Sequence, residues 1–523
     1  MDARASTNGI ILNYLLSELV CDTPFYRKDA FMKWRELLES VSVQASGGEG
    51  NPDIRDIVYN SRQAGPGTVF VAIPGTVAHG DRYIPDAVGR GAAAIVSQNP
   101  QPHLQAPWVQ VARPRNILGE LALTLWKLKL YEIKTVGITG TNGKTTCAHL
   151  FQQLFETRNG SDRAWLFGTI SYHLGKQHKD AHRTTPESSD VFRLLGTTDV
   201  RPRSLVMEVS SHALDLNRIA GLTYDCAVFT NLTQDHLDYH KSMHEYYQAK
   251  KRLFTDYLRR KGAAIVNIDD TWGRRLATEL SKGRIITYGK AHNADVRILN
   301  WRCRAHGLDM HLIYEGEIVE LTSHLVGAFN VYNIAAFFAG ARALGFDAAK
   351  VQAVLDSFDQ IAGRMERVPL QADFDVIIDY AHTPDALHNV LATAQEFVAG
   401  RLFCLFGCGG DRDKAKRPLM AKAVVYNCDE AVITSDNPRG EKPQSIIDEI
   451  LEGIPLDFAH RVIVDRRNAI AEILSMARPG DCIIIAGKGH ETYQEINGQR
   501  HHFSDREEVI EAFTDLQSQE SYA

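Results

Sequence analysis

The stretch "KTVGITGTNGKTTCAHLFQQLF", residues 134–155, joins an apolar run to a glycine-rich loop and then to a segment with helically spaced apolar residues. The apolar run predicts a buried strand, and Cys147, Phe151 and Leu154 predict one face of the helix that follows. In such a unit the backbone N–H groups of the loop and the helix N-terminus can hold phosphates. The alternative is a glycine-rich turn with a solvated Lys144, which the strand–loop–helix context disfavours.

Within the loop, Lys144 would place a cation near the outer phosphates of a nucleotide, and Thr145 would offer a hydroxyl to Mg²⁺. The loop departs from the common P-loop pattern, because Ile138 stands where that pattern has its first glycine, and Gly137 and Gly140 flank it. The sequence therefore predicts a phosphate-binding loop whose glycine positions differ from those of the common P-loop.

Apolar runs that alternate with helical patterns extend on both sides of this unit and predict parallel sheets. At roughly 150 residues per domain, 523 residues suggest about three domains. We expect an α/β protein with an N-terminal α/β domain (1–131), a central domain with a P-loop-type, mostly parallel sheet (132–360), and a Rossmann-like C-terminal domain (361–523). The stretch "QASGGEGNPD", residues 44–53, is predicted to be a loop, and the segment 23–52 has no assigned role.

The charge balance and the cysteines exclude several classes of protein. Lys and Arg number 58 against 64 Asp and Glu, a net charge of −6 without long runs of one sign, which disfavours a general nucleic-acid binder. The eight cysteines include no C-x-x-C pair, so neither a zinc nor a disulfide framework is indicated. They are typical of small core residues in a reducing compartment.

The first residues, "GIILNYLLSELV", lack the basic leader and the small-residue cleavage site of a signal peptide. Leu12, Leu15, Leu16 and Leu19 have helical spacing and predict an amphipathic helix. No apolar run approaches the length of a membrane span. We expect a cytoplasmic protein without membrane insertion, and a monomer.

Further motifs follow the loop in order: "MEVSSHAL", "TNLTQDHLDYH", "GAFNVYN", "GRMERV", "DYAHTPDAL", "GCGGDRDKAKRP", "DNPR" and "AGKGHE". Together with "GTNGKTT" they resemble the Mur ligases, the family that adds amino acids to the peptidoglycan precursor. The resemblance runs from about Asn60 to Asp505, and the later motifs are most similar to members that add the third amino acid. It implies an ATP-dependent amide ligase that works through an acyl phosphate in cell-wall synthesis.

The resemblance implies Mg²⁺ held by Thr145, by Glu208 at the end of an apolar strand, and by His236. On chemistry alone a histidine is an unusual Mg²⁺ ligand, and His236 would be taken for a polar residue at a helix start. Lys250 on its own would be an exposed helix lysine. The resemblance instead implies that CO₂ converts it to a carbamate, an anion able to hold Mg²⁺, although the adjacent Lys251 leaves the register open.

ATP is the implied co-substrate, with Asn330 toward the adenine and Arg364 toward the phosphates. Asn330 and Asn333 could instead cap a helix. The implied ATP-binding residues are Gly140, Thr141, Asn142, Gly143, Lys144, Thr145, Thr146, Asn330, Arg364 and Asp379. The implied catalytic residues are Lys144, Glu208, His236, Lys250 and His382, the last of which would orient the acceptor or merely pack in a turn.

The implied acceptor is UDP-MurNAc-L-Ala-D-Glu, whose D-Glu γ-carboxylate would be extended. Ser61 and Arg62 match positions that hold the UDP end in the family. The sugar–peptide part is assigned to Thr184, Thr185, Ser210, Arg218 and Lys250, several of which can donate hydrogen bonds to a carboxylate. Leu216 departs from the family pattern, since some members carry a glutamine there that contacts the acceptor.

The amino acid to be added is suggested by "TSDNPRGEKP", residues 434–443. A turn that presents Arg439 could grip the far carboxylate of meso-diaminopimelate in a bidentate pair, whereas L-lysine offers nothing there. The resemblance completes the pocket with Glu491 near the far ammonium. The implied pocket residues are Arg412, Asp436, Asn437, Arg439, Gly487 and Glu491.

Four alternatives remain at this point. Arg439 could be a solvated loop residue. The same scaffold could add L-lysine or L-ornithine, or the chain could be a ligase like folylpolyglutamate synthase, which shares the ATP loop. A nucleotide-binding regulatory protein without catalysis is the alternative from a different class.

Overall fold

The structure is a computed structural model that describes residues 31–75, 79–181, 183–281, 283–304 and 307–520, and only the backbone of 304, 519 and 520. The amphipathic helix predicted around residues 12–19 lies outside these ranges. The chain folds into two compact units: one ends at Leu128 and also takes in Glu187–Arg201, and the other comprises Lys129–Pro186 and Pro202 onward.

The secondary structure of the described residues alternates between strands and helices. The strands, numbered in chain order, are β1 (Met32–Lys33), β2 (Ala45–Gly47), β3 (Asp53–Ile54), β4 (Asp56–Val58), β5 (Thr68–Val71), β6 (Ala94–Ser97), β7 (Trp108–Gln110), β8 (Lys134–Thr139), β9 (Ala164–Phe167), β10 (Ser171–Leu174), β11 (Gln177–Asp180), β12 (Ser204–Glu208), β13 (Tyr224–Phe229), β14 (Leu258–Asn267), β15 (Arg284–Gly289), β16 (Val296–Arg304), β17 (Gly307–Tyr314), β18 (Glu317–Ser323), β19 (Glu366–Arg367), β20 (Asp375–Asp379), β21 (Leu402–Phe406), β22 (Glu430–Ile433), β23 (His460–Val462), β24 (Cys482–Ala486), β25 (Tyr493–Ile496) and β26 (Gln499–His502). The α-helices are α1 (Trp34–Leu37), α2 (Ile84–Gly89), α3 (Pro114–Leu125), α4 (Lys144–Asn159), α5 (Ser188–Thr197), α6 (Ser211–Asp215), α7 (Leu237–His240), α8 (Met243–Thr255), α9 (Thr271–Glu279), α10 (Ala328–Ala343), α11 (Ala348–Ser357), α12 (Pro384–Gln395), α13 (Lys416–Asn427), α14 (Pro443–Leu451), α15 (Arg466–Met476) and α16 (Asp505–Glu520).

The first unit contains a five-stranded sheet with the order β2-β7-β6-β5-β4, in which all pairs except β2–β7 are parallel. The loop predicted for 44–53 is wrong in part, because β2 lies within it. Gly47 allows this pairing, since a Cβ there would lie 2.7 Å from the ring of Trp108. The polar, glycine-rich composition of this segment does not predict a strand. The strand is stabilised by its pairing with β7 rather than by its own side chains.

The second unit contains an eleven-stranded sheet with the order β11-β10-β9-β12-β8-β13-β14-β15-β16-β17-β18. Its pairs from β9 to β16 are parallel, and antiparallel strands extend it at both edges. Helices α4 and α10 pack together on this sheet, with the rings of Phe151 and Phe337 5.3 Å apart in an edge-to-face arrangement. The predicted mostly parallel sheet is confirmed, with β16–β18 as an antiparallel addition.

The same unit holds a six-stranded sheet with the order β19-β20-β24-β21-β22-β23, parallel except for β19. Side chains of its strands alternate between two cores, since Ile377 and Cys404 face one layer of helices while Ile378 and Phe403 face the other. A sheet covered on both faces is the doubly wound arrangement predicted for the C-terminal part. Its carboxyl ends carry the loops after β20, β21, β22 and β24.

Candidate active site

The phosphate loop between β8 and α4 requires glycine at two positions. Gly140 has φ 150° and Gly143 has φ 84°. A Cβ at Gly140 would lie 1.8 Å from the Thr230 hydroxyl oxygen, and one at Gly143 would lie 2.2 Å from Asn333 Oδ1. The loop is therefore pressed against neighbouring segments, which fixes its backbone at the N-terminus of α4. The N–H groups of Thr141 and Asn142 both donate to Asn231, at 2.9 Å, so the N–H groups at the start of the helix are the ones left to face an anion.

The side chain of Lys144 folds over this loop. Its Nζ donates hydrogen bonds to the carbonyl oxygens of Gly140, at 3.0 Å, and Thr141, at 2.9 Å. Burial lowers the pKa of Lys144, and the nearby Glu208 carboxylate opposes that shift. The ammonium is thus held over the loop, within reach of a bound anion.

The carboxylate of Glu208 lies beside the loop because β12 and β8 are parallel neighbours, with Glu208 opposite Ile138. It is fully buried and accepts hydrogen bonds from Thr145 Oγ1 (3.0 Å), Thr169 N (2.8 Å) and Thr169 Oγ1 (2.9 Å). Within the described part of the chain no ion pair to it occurs. A buried carboxylate without an ion pair, next to a loop hydroxyl, fits a Mg²⁺ ion that would complete its shell with phosphate and water oxygens.

The described residues contain no group of three or more His, Cys, Asp or Glu arranged to hold a metal ion. That agrees with a Mg²⁺ site in which the nucleotide supplies most ligands. Arg364 adds a further anion-binding group: its Nη2 donates to Thr145 Oγ1 at 3.1 Å, while its buried Nε has no hydrogen-bond partner among the described residues. A phosphate oxygen would satisfy that Nε.

Lys250, on α8, lies directly beneath the loop. Its side chain is 1% exposed, and its Nζ donates to the Gly140 carbonyl at 2.7 Å. Burial and the nearby Lys144 lower the pKa of Lys250 well below its ordinary value, which favours the neutral amine, the form that reacts with CO₂. Lys251 instead pairs with Glu279 at 2.9 Å, so Lys250 is the one of these two lysines that faces the loop.

Asp235 and His236 occupy the turn before α7. His236 has a left-handed φ of 54°, and burial lowers its pKa to about 3, so the ring is neutral as a metal ligand must be. Asp235 is 5% exposed and lies 3.8 Å from His382 Nε2 and 3.6 Å from Lys416 Nζ. Burial alone would raise the pKa of Asp235, but these neighbours hold it well below its ordinary value.

A cavity of about 540 Å³ opens over the loop. It brings together most residues of the predicted nucleotide, metal and acceptor sets. Those that line it are Thr141, Asn142, Gly143, Lys144, Thr145, Thr146, Thr184, Glu208, Ser210, His236, Asn330, Arg364, Asp379 and His382. Asn330 and Asn333 lie inside α10 and bond to each other at 2.8 Å rather than capping that helix.

Three of the predicted acceptor residues, Thr185, Ser210 and Arg218, also have interactions within the protein. The Thr185 hydroxyl is buried behind the cavity and donates to the Glu208 carbonyl at 2.8 Å. Ser210 caps α6 through the Ala213 N–H at 3.2 Å. Arg218 lies near His212 and contributes to lowering its pKa, after burial. Their part in substrate binding stays a prediction.

Ser61 and Arg62 belong to the first unit. They begin a 3₁₀ turn, Ser61–Gln63, in which Asn60 Oδ1 accepts from the Arg62 N–H at 3.1 Å. Ser61 is buried and its hydroxyl, with Arg90, lowers the pKa of Asp86. Arg62 is exposed, which leaves its guanidinium available for a phosphate.

A second cavity, of about 180 Å³, contains the whole predicted amino-acid pocket. It lies at the carboxyl ends of the strands of the six-stranded sheet. The predicted residues that line it are Arg412, Asp436, Asn437, Arg439, Gly487 and Glu491. Their proximity follows from β21, β22 and β24 being neighbours.

Arg439 is held in place by neighbouring segments and is not a solvated loop residue. It has a left-handed φ of 51°, and its backbone bonds to Glu495 (3.0 Å) and Asn497 (2.7 Å) in the β25–β26 hairpin. Its Nη1 donates to the Gly410 carbonyl at 2.8 Å, and its Nε lies 3.6 Å from Glu495 Oε2. A guanidinium has five donors, so several remain for a carboxylate.

Sequence reasoning missed Asp235, Lys416, Lys488 and Tyr380. Each lies inside a quoted motif, and Asp235 directly precedes a predicted metal ligand. The sequence feature that could have identified these four residues is a charged or aromatic side chain in the segment that follows a strand. Such residues are solvated in most loops, so burial in the fold was needed to single them out.

No helix in the described part of the chain is both long and apolar enough to cross a membrane.

Comparison with known proteins identifies the family along most of the chain. The Mur ligase family catalytic domain matches residues 53–125, the Mur ligase middle domain 138–341, and the Mur ligase glutamate ligase domain 363–489.

Curated relatives extend that match to nearly full length. The UDP-N-acetylmuramoyl-L-alanyl-D-glutamate–2,6-diaminopimelate ligase of Thermosynechococcus vestitus is 42% identical over 92% of this chain and 98% of its own. The ligase of that name from Aquifex aeolicus is 41% identical over 88% and 93%. A solved structure of a ligase of that name has a TM-score of 0.64, with 30% identity over 93% of this chain and 99% of its own. The chain therefore belongs to the Mur ligase family.

Proposed function

We propose that this chain is an ATP-dependent ligase that joins meso-2,6-diaminopimelate to the D-Glu γ-carboxylate of UDP-MurNAc-L-Ala-D-Glu in peptidoglycan precursor synthesis. The observation that carries the proposal is that the two cavities share a wall. Asp235, His236, Tyr380 and His382 line both the cavity over the phosphate loop and the smaller charged cavity. An acyl group activated in the first can therefore meet an amine held in the second.

The first step is attack of the γ-carboxylate oxygen on the γ-phosphorus of ATP. A P–O bond forms, the bond to the ADP oxygen breaks, and an acyl phosphate and ADP result. Lys144, the loop N–H groups and Arg364 stabilise the negative charge that moves to the β–γ bridge. Thr145 and Glu208 would hold one Mg²⁺, and His236 with a carbamate on Lys250 would hold a second; Mg²⁺ neutralises phosphate charge.

The second step is attack of the diaminopimelate amine on the acyl carbon. The C–N bond forms, the C–O bond to phosphate breaks, and the amine loses a proton. His382 Nδ1 donates to the Tyr380 carbonyl at 2.8 Å, which leaves Nε2 toward the shared wall. His382 is placed to orient the acceptor and to take up that proton, with Asp235 stabilising the imidazolium.

Selection of the amino acid rests on paired charges. Arg439 and Arg412 face the far carboxylate, and Glu491 with Asp436 face the far ammonium. L-lysine lacks the far carboxylate, so its binding would leave the arginine donors without a partner in a desolvated cavity. A cytoplasmic, monomeric enzyme is part of this proposal.

The test is phosphate release from ATP in the presence of the UDP-linked dipeptide, with meso-diaminopimelate, L-lysine or L-ornithine offered separately. Release with diaminopimelate alone, lost in Arg439→Ala, supports the proposal. Release with lysine or ornithine would keep the ligase and overturn the amino-acid assignment. Release that depends on a folate in place of the UDP-linked dipeptide would favour the folylpolyglutamate type.

A further inference from the structure

Lys488 is a fully buried lysine that the reaction described above does not use. It follows β24 and lies behind the smaller cavity, with a side-chain exposure of 0%. Its Nζ donates to the Tyr493 carbonyl (2.5 Å), to Glu491 Oε2 (3.2 Å) and to Asn437 Oδ1 (3.3 Å). Its Nζ also lies 3.8 Å from Asp436 Oδ1.

These contacts use all three N–H donors of the ammonium. Lys488 therefore has no donor left for a substrate, and any effect on binding must pass through the residues it holds. Those residues, Asp436, Asn437 and Glu491, all line the smaller cavity. This geometry distinguishes Lys488 from Arg412 and Arg439, which face the cavity with donors to spare.

Lys488 also fixes the orientation of the Asn437 amide. Because a lysine only donates, Asn437 Oδ1 must face it, and Oδ1 also accepts from the Glu495 N–H at 2.9 Å. The Asn437 Nδ2 then points to Glu491 Oε2, 2.7 Å away. One oxygen of Glu491 is thus held by two donors from behind the cavity.

Lys488 offsets part of the negative charge at one end of the cavity. Asp436 and Glu491 place two carboxylates at one end of a small cavity, and Lys488 offsets one of them. Burial raises the pKa of Glu491, Asp436 raises it further, and Lys488 acts in the opposite direction. The ammonium at the far end of the substrate would offset the second carboxylate.

We propose that Lys488 is a positioning residue for the amino-acid substrate, which holds the Glu491 carboxylate and the Asn437 amide in the arrangement that receives the far ammonium group. The inference rests on the proposed function, since it concerns the substrate of that same cavity. It assigns Lys488 to selection of the amino acid and not to the chemistry of ATP.

The experiment is steady-state kinetics of Lys488→Met, with each of the three substrates varied in turn. We expect the KM for meso-diaminopimelate to rise about 10- to 100-fold, the loss of one charge-assisted interaction. The KM values for ATP and the UDP-linked dipeptide should stay within about twofold, and kcat at saturating diaminopimelate within about threefold. Lys422→Met, at an exposed position on α13, is the matched control and should behave as wild type.

A double-mutant cycle with Glu491→Gln tests the mechanism of the effect. If Lys488 acts through Glu491, the KM for diaminopimelate in Lys488→Met/Glu491→Gln equals that in Glu491→Gln alone. Additive effects, or an equal rise in all three KM values, would overturn the inference. A fall in kcat with an unchanged KM for diaminopimelate would overturn it as well.

Heat unfolding of the four proteins gives a readout that needs no turnover. Lys488→Met leaves a buried carboxylate without its cation, so its Tm should fall further than that of the double variant, which removes both charges. Equal Tm values would contradict the pairing on which the inference rests. Wild-type turnover with diaminopimelate tests the proposed function separately, so failure of one is distinguished from failure of the other.

Discussion

The phosphate loop and the smaller cavity both bind charged groups, but they are assembled in different ways. The loop is made of consecutive residues, 140–146, whose geometry follows from one strand, one turn and one helix. The cavity takes its residues from loops after β13, β20, β21, β22 and β24, and Arg439 is fixed by a hairpin more than fifty residues later in the chain.

The two regions also differ in how their charges are balanced. Near the loop, Glu208 is buried without an ion pair from the described residues, and Lys144 and Lys250 lie close together around the Gly140 carbonyl. In the smaller cavity several charges already have protein partners, such as Lys488 for Glu491 and Glu495 for Arg439. The charge of Glu208 is thus left for a bound ligand to balance, whereas the smaller cavity is pre-organised and selects by charge pattern.

The largest effect is expected at the loop. Lys144→Met removes the cation that faces the moving phosphate charge, and kcat should fall about 10³-fold. Because the lost interaction belongs to the transition state, the fall should be the same with every amino acid that is turned over. Phosphate release under saturating substrates measures it. An effect confined to the KM for the amino acid would show that Lys144 acts on amino-acid binding, and would contradict the separate roles given to the loop and the smaller cavity.

The second effect concerns Lys250, for which the chain offers a matched control. Lys250→Gln removes the neutral amine that would carry the carbamate, and we expect kcat to fall about 10²- to 10³-fold. Lys251→Gln loses one partly exposed ion pair and should stay within about twofold. The carbamate itself is read from the ¹³C NMR signal of protein incubated with ¹³C-bicarbonate.

That signal should be present in wild type and in Lys251→Gln and absent in Lys250→Gln. A full signal in Lys250→Gln, or none in wild type, would rule out a carbamate on Lys250.

A smaller and more selective effect is expected at Arg439. Arg439→Ala should raise the KM for meso-diaminopimelate about 10- to 100-fold through loss of charge-assisted hydrogen bonds, with the KM for ATP within about twofold. Arg461→Ala serves as the control. Arg461 lies on β23 of the same six-stranded sheet and forms a surface ion pair with Glu472. Equal losses for ATP and diaminopimelate would show that Arg439 supports the fold rather than the substrate.

The smallest effect lies outside both regions and concerns stability. Burial lowers the pKa of His173 to about 3, and its ring nitrogens bond to Gln152 and Ser171. The folded state keeps this ring neutral, while the unfolded state binds a proton below pH about 6.5. Stability from His173 is therefore present above that pH and lost as the pH falls toward 3.

His173→Gln should flatten the pH dependence of the free energy of unfolding in that window by up to about 1.4 kcal/mol per pH unit. His178→Gln, at the more exposed partner of the ring pair, removes a smaller contribution to the lowered pKa of His173 and should change the slope less than His173→Gln does. Urea unfolding between pH 4 and pH 8 measures both, and parallel curves for wild type and His173→Gln would refute the assignment.

Local pattern was sufficient for the phosphate loop. Strand, turn and helix signals are contiguous there, and the position of Glu208 followed from its place at a strand end. The apolar runs of the six-stranded sheet were likewise predicted as strands. The family motifs then named the residues that the fold brings into both cavities.

Pattern was insufficient where a residue's role depends on a distant partner. The second strand, β2, exists because it pairs with β7, and nothing in its own polar sequence required it. The left-handed backbone of Arg439 depends on the β25–β26 hairpin. Lys488 looks like any loop lysine until its burial against Glu491 and Asn437 is seen.

The central claim is that the smaller cavity selects an amino acid that carries a carboxylate as well as an ammonium group at its far end. The most direct measurement is a single reaction with ATP, the UDP-linked dipeptide and equal concentrations of meso-diaminopimelate, L-lysine and L-ornithine, with products resolved by mass spectrometry. We expect the diaminopimelate tripeptide as the main product, and loss of that preference in Arg439→Ala. A lysine or ornithine product as the main species in wild type would contradict the claim.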